Sequence, residues 1–286
     1  MQTKRFIVPG EIAATVYSSG CSSSAPTIVL CHGFCGIQAI LLPQFAQAFA
    51  EAGFTAITFD YRGFGASGGE RGRLVPAMQI EDILKVVSWC QSLPEVDDQR
   101  IALWGTSFGG CHVMAAAANN PDIRCVVSQL AFADGEKIVT GKMTVEEKEG
   151  FIKTLNKMAD KQAATGKEMF VAITRVLNDE ESKAFFDSHK VDFPAMDIKI
   201  PFLTVRETLN YKPAESAKSV ICPTLVVVAG CDTVNPPEQA LALFDAVGAS
   251  EKRLHIEEGA KHYDLYNGLH FQNAVKEQIG WLTRWL

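Results

Sequence analysis

A short apolar run, Ile101-Ala102-Leu103-Trp104, leads into Gly105-Thr106-Ser107-Phe108-Gly109-Gly110 and then directly into the small-residue segment Cys111–Ala118. The run reads as a buried strand, and the segment after the glycines as a helix. Only a very sharp strand-to-helix turn can join the two. Such a turn forces its central residue into strained backbone angles, and flanking glycines keep side chains out of the crowded corner. Ser107 then stands at the end of a strand and at a helix N-terminus, whose dipole favours negative charge. A Gly-rich turn with a capping serine would account for the five residues, but not for the strand before them and the helix after them.

The rest of the chain follows the same alternation. Lys4–Val8 and Glu11–Tyr17 read as an opening hairpin joined through Pro9-Gly10. Thr27–Cys31 and Phe54–Phe59 are apolar runs flanking an amphipathic segment over Leu41–Ala52. A helix is expected from Pro76 to Gln91, because proline in the first turn loses no hydrogen bond. Ile123–Ala131, Leu225–Ala229 and Lys252–Ile256 read as further strands, and Pro236–Val247 and Leu269–Leu286 as helices. This alternation predicts an α/β fold with a mostly parallel sheet. Residues 134–219 differ in composition, with 15 acidic and 14 basic residues. Val145–Lys161 and Lys167–Leu177 show helical periodicity there, and Pro194, Pro201 and Pro213 break up the return. Residues 1–133 and 220–286 are therefore the expected α/β core, with 134–219 a helical insert.

A serine hydroxyl is a weak nucleophile until a base takes its proton. Among six histidines, His262 alone falls in a loop between the last strand and the terminal helix, in Gly259-Ala260-Lys261-His262-Tyr263-Asp264. His255 lies in a strand, His270 at a helix start and His189 in the insert, where packing or capping is the simpler use. An acid after the preceding strand would complete the order nucleophile, acid, base. Gly230-Cys231-Asp232-Thr233-Val234 supplies Asp232, whose competing use is as a helix N-cap. Asp134 is the substitute acid; Asp264 stands too near His262 in sequence to orient it. Oxyanion donors are expected from the backbone N–H of Phe108 and from Phe34 in the loop His32-Gly33-Phe34-Cys35-Gly36. His32 is expected to brace that loop.

Charge and cysteines narrow the setting. With 27 basic against 33 acidic residues the net charge is −6, so no surplus of cations exists to neutralise phosphates, which argues against a nucleic-acid surface. No run of about 18 apolar residues suggests a membrane span, and the opening Met1-Gln2-Thr3-Lys4-Arg5 lacks a secretory pattern. A cytoplasmic location is expected, with the eight cysteines free and mostly buried. Cys31-His32-x-x-Cys35 and Cys111-His112 lack paired metal-site spacing, so no metal is expected.

His32-Gly33-Phe34, Asp60-Tyr61-Arg62-Gly63-Phe64-Gly65-x-Ser67, Gly105-Thr106-Ser107-Phe108-Gly109-Gly110, Gly230-x-Asp232 and Lys261-His262 together resemble the α/β-hydrolase superfamily. Within it the chain is similar to the dienelactone-hydrolase-like and prolyl-peptidase-like branch, with a serine at the turn. The resemblance implies an eight-stranded, mostly parallel sheet flanked by helices, and a cap at 134–219 over the site. It implies acyl transfer through Ser107, Asp232 and His262, with Phe34 and Phe108 amides holding the oxyanion and no cofactor. A small to medium, largely apolar ester or thioester is the expected substrate, in a pocket that includes Phe34, Phe64, Phe108, Met143 and Phe151. The alternatives are a carbon–carbon bond hydrolase, a trans-acting cyclase or acyltransferase on a polyketide-like substrate, a peptidase, and a non-catalytic ligand binder. A homodimer paired through the cap or edge strands is compatible with the fold.

Overall fold

The computed structural model describes residues 1–20 and 24–286. Strands β1 (Gln2–Val8) and β2 (Ile12–Ser18) form the opening hairpin, turned at Gly10 and Glu11, which both take positive φ. The chain continues through β3 (Ala25–Cys31), α1 (Leu42–Glu51), β4 (Thr55–Phe59), α2 (Pro76–Cys90), β5 (Val96–Thr106), α3 (Phe108–Ala118) and β6 (Ile123–Gln129).

The segment after β6 holds α4 (Gly135–Thr140), α5 (Val145–Thr165), β7 (Phe170–Ala172), α6 (Glu180–His189), β8 (Lys199–Pro201), α7 (Thr204–Asn210) and α8 (Pro213–Ala217). A capping box of Thr144 and Glu147 opens α5, and Gly166 closes it in the left-handed conformation at φ 67°. The helix expected over Lys167–Leu177 does not form. Phe170–Ala172 pairs antiparallel with Lys199–Pro201 instead, and Ile173–Arg175 is a single 3₁₀ turn. Pairing with a distant strand outweighs a local helical period once Gly166 has stopped α5. Leu155 of α5 packs with Val205 and Leu209 in a small core of its own. By Tyr211 the chain is back on α3: the Tyr211 hydroxyl bonds His112 Nδ1 at 3.0 Å, and the Ala214 N–H donates to the Ala133 carbonyl at 3.1 Å.

β9 (Thr224–Ala229), α9 (Pro237–Ala246), β10 (Lys252–Glu257) and α10 (Gly268–Trp285) complete the chain. One eight-stranded sheet takes the order β1-β2-β4-β3-β5-β6-β9-β10. β2 runs antiparallel to β1 and β4, and the remaining pairs are parallel. Parallel strands covered on both faces read as unbroken apolar runs, as Ile28-Val29-Leu30 and Leu225-Val226-Val227-Val228 do. Their side chains alternate between two cores. Ile28 and Leu30 belong to the core that also holds α1 and α10, whereas Val29 and Cys31 belong to the core that holds α2, α3 and α9. α10 buries Ala274, Val275, Gln278, Trp281 and Leu282 along one stripe, and each large apolar side chain so buried contributes about 1.5–3 kcal/mol. α3 is apolar all round because it is covered on every side.

Among the described residues no helix is long and apolar enough to cross a membrane. Cys31, Cys35, Cys90, Cys111 and Cys125 are buried free thiols, Cys222 is half-buried and Cys231 exposed. Cys21 lies outside the described residues.

Candidate active site

Ser107 sits between β5 and α3 at φ 55° and ψ −121°, angles that an L-residue ordinarily avoids. A residue held this way costs about 1–3 kcal/mol and persists only where its surroundings over-determine it. Here they do. The Ser107 N–H donates to the Gln129 carbonyl at 2.8 Å, and its own carbonyl accepts from Cys111 N–H at 3.3 Å. The glycines are steric requirements: a Cβ on Gly109 would strike the carbonyls of Cys31 and His32, and one on Gly105 the carbonyl of Gly109.

Asp232 lies just past the end of β9 with 5% exposure, and His262 follows β10 with 2%. His262 Nδ1 is 2.7 Å from Asp232 Oδ2. The other carboxylate oxygen, Oδ1, accepts the backbone N–H groups of Val234 and Asn235, each at 2.8 Å. A carboxylate with these donors serves as the acceptor for Nδ1–H, which leaves the Nε2 lone pair free. Asp134, the substitute acid, is engaged elsewhere: it caps α4 and pairs with Lys212. That ammonium and the Glu136 and Lys137 N–H groups hold its carboxyl below the usual range against the opposing effect of burial. Asp264 accepts from the Lys261 N–H, and His255 and His270 both bond Glu257.

The loop after β3 lies against Ser107. A Cβ on Gly33 would stand 3.1 Å from Ser107 Cβ and 3.6 Å from Oγ. His32 braces this loop, with Nδ1 accepting the Gly33 N–H at 2.7 Å and Nε2 3.0 Å from the Ile40 carbonyl. Burial lowers its pKa to about 4, so the ring is neutral. Phe108 is the first residue of α3, where an N–H has no acceptor within the helix. Among the described residues, neither the Phe34 nor the Phe108 N–H has a hydrogen-bond partner. The two phenylalanine rings meet edge to face at 5.6 Å.

Ser107, His262 and Phe34 line one cavity of about 680 Å³, its open mouth included. Its other walls include Ile40, Leu41, Val234, Tyr263 and Tyr266 from the sheet side, and Ile173, Leu177, Phe185, Phe186 and Met196 from the segment between β6 and β9. Four expected pocket residues are not among them. Phe64 has no exposure, because the Asp60 carboxylate gathers the Gln38 and Ala66 N–H groups and folds that loop inward. Phe151 packs against the small core beneath α5, and Met143 lies in the turn before that helix. The Phe108 ring also turns inward, onto His112, Phe132 and Tyr211.

Three side chains matter here that sequence reasoning passed over. Tyr263 stacks on Phe185 of α6 at 4.5 Å and 17°, and its hydroxyl donates to Ser182 Oγ at 3.1 Å. Burial raises the Tyr263 pKa to about 12. The Thr233 hydroxyl donates to Glu181 of the same helix at 2.6 Å. Asn235 Nδ2 donates to the Leu130 carbonyl at 2.7 Å and lies 3.4 Å from Ser107 Oγ. Beneath Ser107 runs a buried polar chain. Trp104 Nε1 donates to Gln278 Oε1, Gln278 Nε2 to Gln129 Oε1, and Gln129 Nε2 to Thr106 Oγ1, which meets the Tyr266 hydroxyl at 2.7 Å.

The comparisons with known proteins agree with this architecture. Residues 26–269 match the family model described as alpha/beta hydrolase fold. An uncharacterized 31.7 kDa protein from the traX-finO intergenic region of Escherichia coli is 60% identical over 261 residues, covering 91% of each chain. The quorum-quenching protein AidA of Acinetobacter baumannii is 28% identical, covering 96% of this chain and 91% of its own. Among solved structures, DcsB in complex with its substrate analogue superposes with a TM-score of 0.84 at 23% identity, over 100% of this chain and 99% of that one. With the family model spanning most of its length, the chain belongs to the α/β-hydrolase fold family.

Proposed function

We propose that the protein is a serine hydrolase that cleaves a carboxylic ester or thioester of a small to medium, largely apolar substrate. Ser107 Oγ attacks the carbonyl carbon while His262 Nε2 takes its proton, and the carbonyl oxygen, now negative, rests on the Phe34 and Phe108 N–H groups. Collapse of this intermediate expels the alcohol or thiol, which receives the proton from His262. Water, deprotonated by the same imidazole, attacks the acyl-enzyme and releases the acid and free Ser107. Asp232 keeps the imidazole in the Nδ1–H tautomer and stabilises its cation.

The observation that carries the reading is the Asp232–His262 hydrogen bond in a cavity whose wall also holds the strained Ser107. The lining supports the substrate class. No Asp, Glu, Lys or Arg is among the described residues of the cavity wall, so a charged substrate group would lose its hydration without gaining a partner. In this reading residues 134–219 act as a lid, since Ile173, Phe185 and Met196 supply the cavity's far wall.

A fluorophosphonate probe and a panel of ester, thioester, diketone and peptide substrates test it. Ser107→Ala should abolish both turnover and labelling; labelling that survives the substitution sinks the assignment. Diketone cleavage without ester cleavage would move the reading to carbon–carbon hydrolysis. A product formed with an added alcohol in preference to water would move it to acyl transfer.

A further inference from the structure

Asn235 stands two residues before α9, next to the N-cap position, from which a short amide side chain could bond the backbone of its own turn. It does not. The helix has Pro236 at its N-cap position with no side-chain capping bond, and the Asn235 side chain instead reaches β6 and the nucleophile. It is 5% exposed, and a buried amide is costly unless its donors are used. One Nδ2 hydrogen goes to the Leu130 carbonyl at 2.7 Å. Nδ2 also lies within bonding range of Ser107 Oγ, at 3.4 Å. Leu130 itself takes a positive φ of 55°, an unusual setting for leucine, at the point where its carbonyl meets this amide. The Asn235 backbone N–H meanwhile bonds Asp232 Oδ1 at 2.8 Å. A single residue therefore joins the acid of the site to its nucleophile.

We propose that Asn235 is a positioning residue for Ser107, its side-chain amide donating to Oγ so that the hydroxyl proton is left to His262. A serine oxygen has one proton and two lone pairs. With a lone pair occupied by the Asn235 N–H, the proton is directed to the remaining acceptor. The same N–H faces Oγ when negative charge grows there, both as Ser107 attacks and as it leaves the acyl-enzyme. Asn235 thus assists acylation and deacylation alike and contributes little to ground-state binding.

The inference rests on Ser107 being the nucleophile, and the wild-type protein tests that separately: absence of fluorophosphonate on Ser107 overturns the nucleophile assignment before any Asn235 variant is made. With wild type labelled, Asn235→Leu keeps the volume and removes the donor. A well-placed donor to a developing oxyanion is worth about 10²–10³ in rate; at 3.4 Å about tenfold is expected. The folded variant should lose about tenfold in kcat and in the rate of probe capture, with KM within about twofold of wild type. Should Asn235→Leu fail to fold, Asn235→Ala removes the donor without steric demand, and it should show the same loss. A variant whose kcat and capture rate stay within twofold overturns the proposal. So does one in which KM rises while kcat holds, because that is the signature of a residue that only shapes the pocket.

Discussion

Asp232 divides its two carboxylate oxygens between two tasks: Oδ1 fixes the loop through two backbone N–H groups, and Oδ2 fixes His262. Asp232→Asn preserves the loop only with its oxygen kept on the two backbone N–H groups, which presents an NH₂ to Nδ1. With an amide nitrogen there, the proton moves to Nε2 and the imidazole can no longer act as a base. A loss of about 10⁴ in kcat is expected, with thermal stability nearly unchanged. Steady-state rates and a melting curve on the same preparation check it, and a loss of tenfold or less would show that Asp232 does not orient His262. Ser107, Asp232 and His262 were legible because glycines punctuate their turns and because each follows a readable strand. Phe64 was not legible as a core residue. Its neighbours Gly63 and Gly65 suggest an exposed loop, and part of what turns that loop inward is Gln38, distant in sequence and bonded to Asp60. Asn235 was hidden for the same reason: its partners at Leu130 and Ser107 are remote in sequence.

At the scale of elements, α6 supplies part of the cavity's far wall and reaches the opposite side through three groups. Phe185 stacks on Tyr263, Ser182 accepts from the Tyr263 hydroxyl, and Glu181 accepts from Thr233. Phe185→Ala removes the stack and one apolar wall. Losing about 1.5 kcal/mol of apolar and aromatic contact corresponds to roughly tenfold in affinity. KM for apolar esters should therefore rise about tenfold with kcat within threefold; an unchanged KM would show that α6 does not touch the substrate. Central strands were legible as unbroken apolar runs, since both their faces are covered and no alternation survives to confuse the reading. The β7–β8 pair was not. Three-residue strands carry too little pattern of their own, and Phe170–Ala172 is extended only because Lys199–Pro201 lies beside it.

The molecule as a whole buries two neutral imidazoles. Burial lowers the pKa of His32 to about 4 and of His112 to about 3, against about 6.5 in an unfolded chain. The unfolded state therefore takes up protons that the folded state refuses. The associated stability is whole above about pH 6.5 and is lost as pH falls toward 4 and then 3, at about 1.4 kcal/mol per pH unit for each ring. The melting temperature should fall between pH 6.5 and 5, before the carboxylates that are held low begin to titrate. His112→Asn should flatten that decline; an identical slope would assign it to other groups. The polar chain from Trp104 through Gln278 and Gln129 to Thr106 also ties distant parts of the fold together, because it fastens the turn that carries Ser107 to α10. That tie has a consequence for biosynthesis. A ribosome that has just made Ser107 has yet to make Asp232, His262 or Gln278. The turn that carries Ser107 therefore lacks its tie to α10 until nearly the whole chain has been made.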